Sequence, residues 1–363
     1  MKFELAIYGS VSDLPQPFLQ MMEASSATDI FTGPDWFRLI EQEITGKGDR
    51  LYYYTVNNTE NGKALMLLPM VAWAERGGTT LSSLSNFYSL SYSPVFCATI
   101  EHRDAALRFF ARTLLKERPK WRAIDFKMLD SKRPLFRELI DAFSDAGGLC
   151  APYFQFDNWF CHLGGLSAEE YFQSRPTRLT NTINRKTRAL NKKGRWHIDL
   201  YKDEKEIENG IAAYQQVYDR SWKSAERFPD FIPSLVRMTA QKSVLRLAIL
   251  FIDGEPAAAQ LWLVHERRAI IYKLAHDEKF KSLSVGSILT KFLMDHVINQ
   301  DHVALIDYGV GSEPYKEDWM TERKERWGLT VYNPSSLGGL ARAMLHFSGL
   351  FHKRFRANKT KKG

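Results

Sequence analysis

The sequence predicts an α/β protein of two successive halves, each a β-hairpin followed by a helix and a short strand. Three observations predict it. A chain of 363 residues exceeds the usual size of one domain, which sets an expectation of two. Hairpin-like runs occur in both halves, and each hairpin is followed downstream by a helical stretch and a short Ile-Asp-aromatic strand. The hydrophobic content of 44%, with 13% aromatics, is ample for buried cores and excludes a largely disordered chain.

The elements follow in order. In the first half, Leu51 to Val56 reads as a strand that turns through the polar NNTENGK into a second strand, Ala64 to Trp73. A serine- and aromatic-rich stretch follows, with no small-residue turn opening directly into the next helix. That helix spans Ala105 to Leu115, with Asp104 as its expected N-cap, and the strand Ile124-Asp125-Phe126 comes after it. Gly164-Gly165 breaks the chain, and a domain boundary is expected near residues 160 to 176. Ser167 and Glu170 form a capping-box pattern for a short helix that ends before Pro176.

In a helix from Thr177 to Lys192, Leu179, Ile183 and Leu190 share one side while Arg178, Arg185, Arg188 and Lys192 form a stripe on another. The second hairpin joins Leu245 to Ile252 with Ala257 to His265 through Asp253-Gly254-Glu255-Pro256. The strand Ala269 to Ala275 then leads through His276 to Ser282 into a helix, Val285 to Ile298. Its apolar residues Ile288, Leu289, Phe292, Leu293 and Val297 keep helical spacing. The strand Ile306-Asp307-Tyr308 closes the set. Asp307 lies fifteen residues beyond Phe292, and Asp125 sixteen beyond Phe109. The two halves read as an approximate internal repeat, against the alternative of a chance likeness between two α/β segments.

The net charge of +8 is concentrated in two places. Tyr171 to Ile198 holds eight basic residues and no acidic ones, and Leu337 to the end holds seven basic and none acidic, so the rest of the chain is net acidic. Local basicity of this kind points to contacts with phosphates or anionic surfaces. The first residues lack the pattern of a signal peptide, and no apolar run approaches the length of a membrane span. A cytoplasmic protein is expected. Cys97, Cys150 and Cys161 show neither a disulfide framework nor zinc-ligand spacing, and the nine histidines show no metal spacing, so no metal is expected. There is no G-x-S-x-G elbow and no full Walker loop.

A strand, a turn of small residues and a helix N-terminus bring backbone N–H groups and the helix dipole together on an anion, and Leu283-Ser284-Val285-Gly286-Ser287 is such a turn. A plain N-cap role for Ser284 is the competing reading. The segment from Lys281 to Gly286 resembles a degenerate pyrophosphate loop of the GNAT acetyltransferases, Q/R-x-x-G-x-G/A. Lys281 stands at the first position, Ser284 replaces the first glycine and Gly286 matches the last small residue. Downstream, Asp307, Gly309, Gly311, Tyr315 and Lys316 match the D-F/Y-G-x-G-x-x-x-Y-K block of the BioF2-like or CelD/BcsL-type branch, which is related to the FemAB-like transferases. The resemblance runs from about Arg175 to Pro334 and more loosely over the first half.

The resemblance implies tandem GNAT-like domains with mixed, splayed central sheets. Residues 1–165 would form a degenerate domain with a structural and acceptor-side role, residues 166–335 the acyl-CoA-binding catalytic domain, and residues 336–363 an amphipathic basic tail. It implies acetyl-CoA or another acyl-CoA as cosubstrate, with Lys281, Leu283, Ser284, Val285, Gly286 and Ser287 around its pyrophosphate. The pantetheine arm would lie between the strand ending near His276 and the strand holding Asp307. Tyr315 is the expected acid, Asp307 and Glu313 the candidate bases, and Lys316, Arg185 and Arg188 the substrate-binding cations. The alternative for each is ordinary structure: a strand-end cap, aromatic packing, a surface ion pair or a solvated helix face. The acceptor would be an amine of a small molecule, an amino sugar or a cell-envelope precursor, with Phe87, Tyr88 and Tyr92 helping to build its pocket. Two other classes stand beside this one, a FemAB-like transferase using aminoacyl-tRNA and a non-catalytic binding module. The tail, with Leu340, Ala341, Met344, Leu345, Phe351 and Phe355 on one stripe and a run of basic residues to Lys361 and Lys362, matches an interfacial helix on an anionic membrane. The alternative is a helix docked on the protein.

Overall fold

The computed structural model describes residues 2–46, 48–75, 78–97, 103–118 and 120–360. The tail residues Lys361 and Lys362 lie outside them. The strands of the first half are β1 (Phe3–Tyr8), β2 (Arg50–Asn58), β3 (Ala64–Glu75), β4 (Gly78–Ser83), β5 (Val95–Phe96), β6 (Ala123–Asp130) and β7 (Leu149–His162). Those that follow are β8 (Trp196–Tyr201), β9 (Leu245–Ile252), β10 (Glu255–His265), β11 (Arg268–His276), β12 (Leu305–Val310) and β13 (Glu322–Tyr332). The helices are α1 (Gln16–Ser26), α2 (Pro34–Glu43), α3 (Arg103–Lys116), α4 (Pro134–Asp145), α5 (Ala168–Gln173), α6 (Thr177–Lys193), α7 (Ile207–Asp219), α8 (Phe231–Gln241), α9 (Val285–Asn299) and α10 (Leu337–Thr360).

The chain divides into two compact units. One comprises Met1–Arg38, Thr45–Phe156 and Glu325–Gly363, the other Leu39–Ile44 and Asp157–Lys324. In the first unit the strand order is β1-β2-β3-β4-β6-β13, with β5 on β3. Every pair is antiparallel except β4 and β6. In the second unit the order is β8-β9-β10-β11-β12-β7, and again one pair, β11 with β12, is parallel.

The repeat read from the sequence therefore exists at the level of topology and register. Asp125 pairs with Ser82 across the parallel step of the first sheet, and Asp307 with Ile270 across that of the second. The parallel connections carry α3 and α9 respectively, as a crossover between parallel strands requires. Each sheet takes its sixth strand from beyond its own half of the sequence pattern, β13 in the first unit and β7 in the second.

Each unit has its own core. In the second, Leu179, Ile183 and Leu190 of α6 and Ile288, Leu289, Leu293 and Val297 of α9 are buried together, which is the face their spacing predicts. The capping box at α5 is present, with the Ser167 hydroxyl accepting from the Glu170 backbone and the Glu170 carboxylate accepting from the Ser167 backbone. One local expectation is corrected. Asp104 lies inside the first turn of α3, where its carboxylate accepts from Arg108 one turn on at 2.8 Å, rather than capping from outside. Tyr88 and Tyr92 are buried, the Tyr92 hydroxyl donating to the Pro69 carbonyl at 2.7 Å, while Phe87 is exposed.

Among the described residues no helix is long and apolar enough to cross a membrane. The first part of α10 docks on the first unit. Ala343 is buried with Tyr332, and a side chain on Gly339 would meet the carbonyls of Asn333 and Arg122 at 2.2 and 2.5 Å. Leu337, Met344 and Leu345 face outward, 89%, 61% and 75% exposed.

Candidate functional site

The parallel pairing of β11 with β12 runs through only three residue pairs, from Arg268 and Leu305 to Ile270 and Asp307. β11 continues to His276 and β12 to Val310, so the two strands part beyond that point. A cavity of about 360 Å³ occupies this part of the second unit. Its lining includes Leu274 and His276 from β11, Tyr308 from β12, Ser284 to Ser287 at the start of α9, Tyr315 and Trp319 from the 3-10 turn Pro314–Asp318 and its C-cap, and Trp222 from an irregular segment.

The loop that resembles a degenerate pyrophosphate loop lies at the start of α9. Residues Glu278–Leu283 form a 3-10 turn, and Ser284 follows in the left-handed region at φ +56, where the family pattern has a glycine. A non-glycine residue pays about 1–2 kcal/mol for that conformation. Ser284 stands at the N-cap position, its carbonyl accepting from the Ile288 N–H at 3.1 Å, but its hydroxyl makes no cap bond and leaves the first-turn N–H groups free of a side-chain acceptor from it. The first-turn N–H groups of a helix have no intrahelical acceptor, and Val285, Gly286 and Ser287, which carry those of α9, line the cavity. A Cβ placed on Gly286 would meet nothing nearer than His276 Nδ1 at 3.8 Å, which leaves the backbone open to close approach. Lys281 also lines the cavity, its ammonium 3.1 Å from the Glu278 carboxylate. These residues fit a pyrophosphate. Leu283 packs against the core instead.

Beneath the cavity lies a polar chain that the sequence did not reveal. Trp262 Nε1 donates to Gln260 Oε1 at 2.9 Å, and Gln260 Nε2 donates to Thr290 Oγ1 at 2.8 Å and to the Gly286 carbonyl at 3.0 Å. The buried Tyr308 hydroxyl interacts with both Thr290 and Tyr315, so the chain reaches the wall that Tyr315 occupies. The signal was available in part, since Gln260 is a polar residue on the same strand face as Ala258 and Trp262 in an otherwise apolar run. Tyr315 is 44% exposed, its ring lies 5.7 Å from that of Tyr308, and burial followed by the Glu313 charge pushes its hydroxyl up to about 12.

His276 is the other titratable group of the lining that the sequence reading passed over. Its ring lies 4.4 Å from that of Trp222, and its buried Nε2 stands 3.6 Å from the Glu278 carboxylate, beyond hydrogen-bond distance. Burial is the main cause that lowers its pKa below the usual imidazole value, so the ring is neutral at pH 7.

The remaining expected residues stand elsewhere. Asp307 is buried outside the lining and accepts from Arg268 at 2.6 Å, Asn158 at 2.6 Å and the Gly309 backbone at 2.9 Å, with Lys324 at 3.8 Å. Burial pushes its carboxyl up, but Arg268 and Lys324 outweigh burial and hold it at about 2. The D-Y-G-V-G block is thus a backbone device, with Asp307 tying down Gly309 and both Gly309 and Gly311 at positive φ. Lys316 is buried, its ammonium held by the Val310 carbonyl and by Glu313 at 2.8 Å, above the Tyr308 ring. Glu313 is held below the usual carboxylate range because the Lys316 contact outweighs its partial burial. Arg185 and Arg188 line a separate exposed groove on α6 with Arg178, whose guanidinium pairs with Asp318 at 2.5 Å. Lys186 rather than either arginine reaches the loop, donating to the Ser282 carbonyl at 2.5 Å.

Residues 177–317 match the family described as "Acetyltransferase (GNAT) domain", so the chain carries a domain of that family. No curated protein matches the sequence. Among solved structures, FemX is 10% identical with a TM-score of 0.60, the match covering 92% of this chain and 97% of that one. L-PGS from Bacillus licheniformis is 12% identical at a TM-score of 0.51, over 93% and 98% of the two chains. The C-terminal domain of a putative lysylphosphatidylglycerol synthetase from Agrobacterium fabrum is 14% identical at 0.50, over 80% and 86%. At these identities the likeness is one of fold, and the fold is that of tandem GNAT-like domains with mixed sheets.

Proposed function

We propose, from the premise of a GNAT acetyltransferase domain at residues 177–317, that the protein is an acyl-CoA-dependent N-acyltransferase acting on an amine acceptor. The observation that carries this reading is a single cavity, where β11 and β12 part, lined by the first turn of α9 on one side and by Tyr315 on another. Lys281, Ser284, Val285, Gly286 and Ser287 hold the pyrophosphate through backbone N–H groups, the helix dipole and one lysine charge.

When bound, an acyl-CoA supplies a thioester carbonyl for attack by the amine. His276, a neutral imidazole of the lining, takes the proton from the attacking nitrogen, a role for which Asp307 is held too acidic and lies outside the lining. Glu313 stays beside Lys316 as a lesser candidate. Tyr315, protonated throughout the neutral range, donates a hydrogen bond to a departing thiolate. A hydroxyl near 12 is too weak an acid to protonate a thiolate outright, given a thiol pKa of about 8.5. The acceptor is read as a small-molecule, amino-sugar or envelope-precursor amine met in the cytoplasm, and the outward apolar face of α10 with its basic continuation as a peripheral contact with an anionic membrane. The exposed arginines of α6 favour a second reading, transfer from an aminoacyl-tRNA.

The test is thermal stabilisation of the full chain by acetyl-CoA. Expected is a rise in Tm that grows with concentration, because only the folded state binds. Gly286→Val should keep the unliganded Tm near wild type and lose this rise, since its side chain fills the approach to the N–H groups. Unchanged acetyl-CoA affinity in a folded Gly286→Val protein would overturn the site. Indifference to acetyl-CoA together with salt-sensitive stabilisation by tRNA would put the second reading in its place.

A further inference from the structure

Beside the cavity, between α7 and α8 in sequence, Trp222 stands 51% exposed and lines the opening. The charges around it do not balance. Lys273 is paired with Glu226 at 2.7 Å, and Lys316 with Glu313 at 2.8 Å. Lys223 makes no ion pair among the described residues. Its ammonium packs against the rings of Trp222 and Tyr218, 5.7 and 5.9 Å from their centroids. These three lysines and two glutamates leave one positive charge uncompensated, on the ammonium that packs against the cavity-lining Trp222.

Burial first, and then the Lys273 charge, pull the Lys223 ammonium down to about 8, with Lys316 adding to the strain and Glu226 and Glu313 opposing it. A cation held under like charges is stabilised when an anion arrives. The carboxylate-binding role expected of Lys316 is therefore open to Lys223, since Lys316 is already occupied by Val310 and Glu313.

We propose that the acceptor is an amine bearing an anionic group, a carboxylate or a phosphate, and that Lys223 binds that group beside the acyl cavity. This rests on the acyltransferase reading above. The lysine fixes which end of the acceptor faces away from the thioester, so that the amine points into the cavity while the anion stays at its rim. Aromatic walls from Trp222 and Tyr315 flank the body of the acceptor between them.

The probe is N-acetylglycine, the smallest product of acetyl transfer to a carboxylated amine, with neutral N-acetylglycinamide as its control. Each is titrated by calorimetry into the CoA-saturated full chain at pH 8, in two buffers of different ionisation heat. N-acetylglycine should bind with uptake of up to about half a proton, since Lys223 is only partly protonated there. Lys223→Met should weaken it at least tenfold and remove the uptake, Lys223→Arg should restore binding, and the amide should bind at least tenfold more weakly than the acid. Equal affinity for acid and amide, or N-acetylglycine binding unchanged in Lys223→Met, overturns the proposal. A tenfold loss of CoA affinity in Lys223→Met also overturns it, because the anion on Lys223 would then be a phosphate of the donor. If acetyl-CoA fails to stabilise the chain while N-acetylglycine still binds through Lys223, the anion subsite stands and the acyl-CoA reading falls.

Discussion

The carboxylates of Asp125 and Asp307 occupy equivalent strands, each across the parallel step of its sheet, and burial pushes both upward. For Asp125 burial wins, because its partners are the hydroxyls of Tyr153 and Thr330 and one lysine at 3.6 Å. For Asp307 it loses to Arg268 and Lys324. Asp307→Asn leaves those two cations without their countercharge in a buried place and should cost about 3 kcal/mol in denaturant unfolding. The folded-state pKa of Asp307 lies below its unfolded value, so its contribution is present above about pH 4 and is lost as pH falls toward 2. The variant should lack that part of the acid limb. Tyr315→Phe removes only a hydroxyl at the cavity wall. It should lower turnover about 10²-fold where chemistry limits the rate and leave acetyl-CoA stabilisation within a few-fold; an unaltered rate would remove Tyr315 from the chemistry.

At the scale of elements, α9 and α10 show how much a helix end or face decides. The start of α9 works through its backbone, which is why a serine can stand at φ +56 where a glycine would be less strained. Helix α10 divides its labour by face. Gly339 and Ala343 let it lie close on the first unit, while Leu337, Met344 and Leu345 look outward. Replacing those three by serine should leave the Tm within about 2 °C, because exposed side chains contribute little to folding. The same variant should lose sedimentation with anionic vesicles at low salt. Retained sedimentation, or none by the wild-type chain, would exclude membrane contact through this face.

For the molecule as a whole, duplication and discontinuity act together. The first unit draws its sixth strand, β13, from Glu322–Tyr332, far beyond the rest of its sheet. A chain ending after Lys324 should therefore expose the β6 edge and the face that Leu329 and Val331 cover, and lose the first unit's cooperative melt; an unchanged melting profile would show that β13 is dispensable. The hairpins, α6, α9 and the Ile-Asp-aromatic strands were legible in the sequence because their signals are local: alternation, helical spacing, turn residues and a capping box. The loop at Lys281 to Ser287 was legible for the same reason, as a strand, a turn and a helix start in succession. What only the tertiary structure decided is which side chains meet. The sequence cannot tell that Asp307 is consumed by Arg268 and Lys324, that Lys316 is consumed by Val310 and Glu313, or that Gln260, His276 and Trp222 line one cavity. The Asp307–Arg268 pair alone spans 39 positions, and burial together with neighbours that local pattern does not encode sets the protonation of each group.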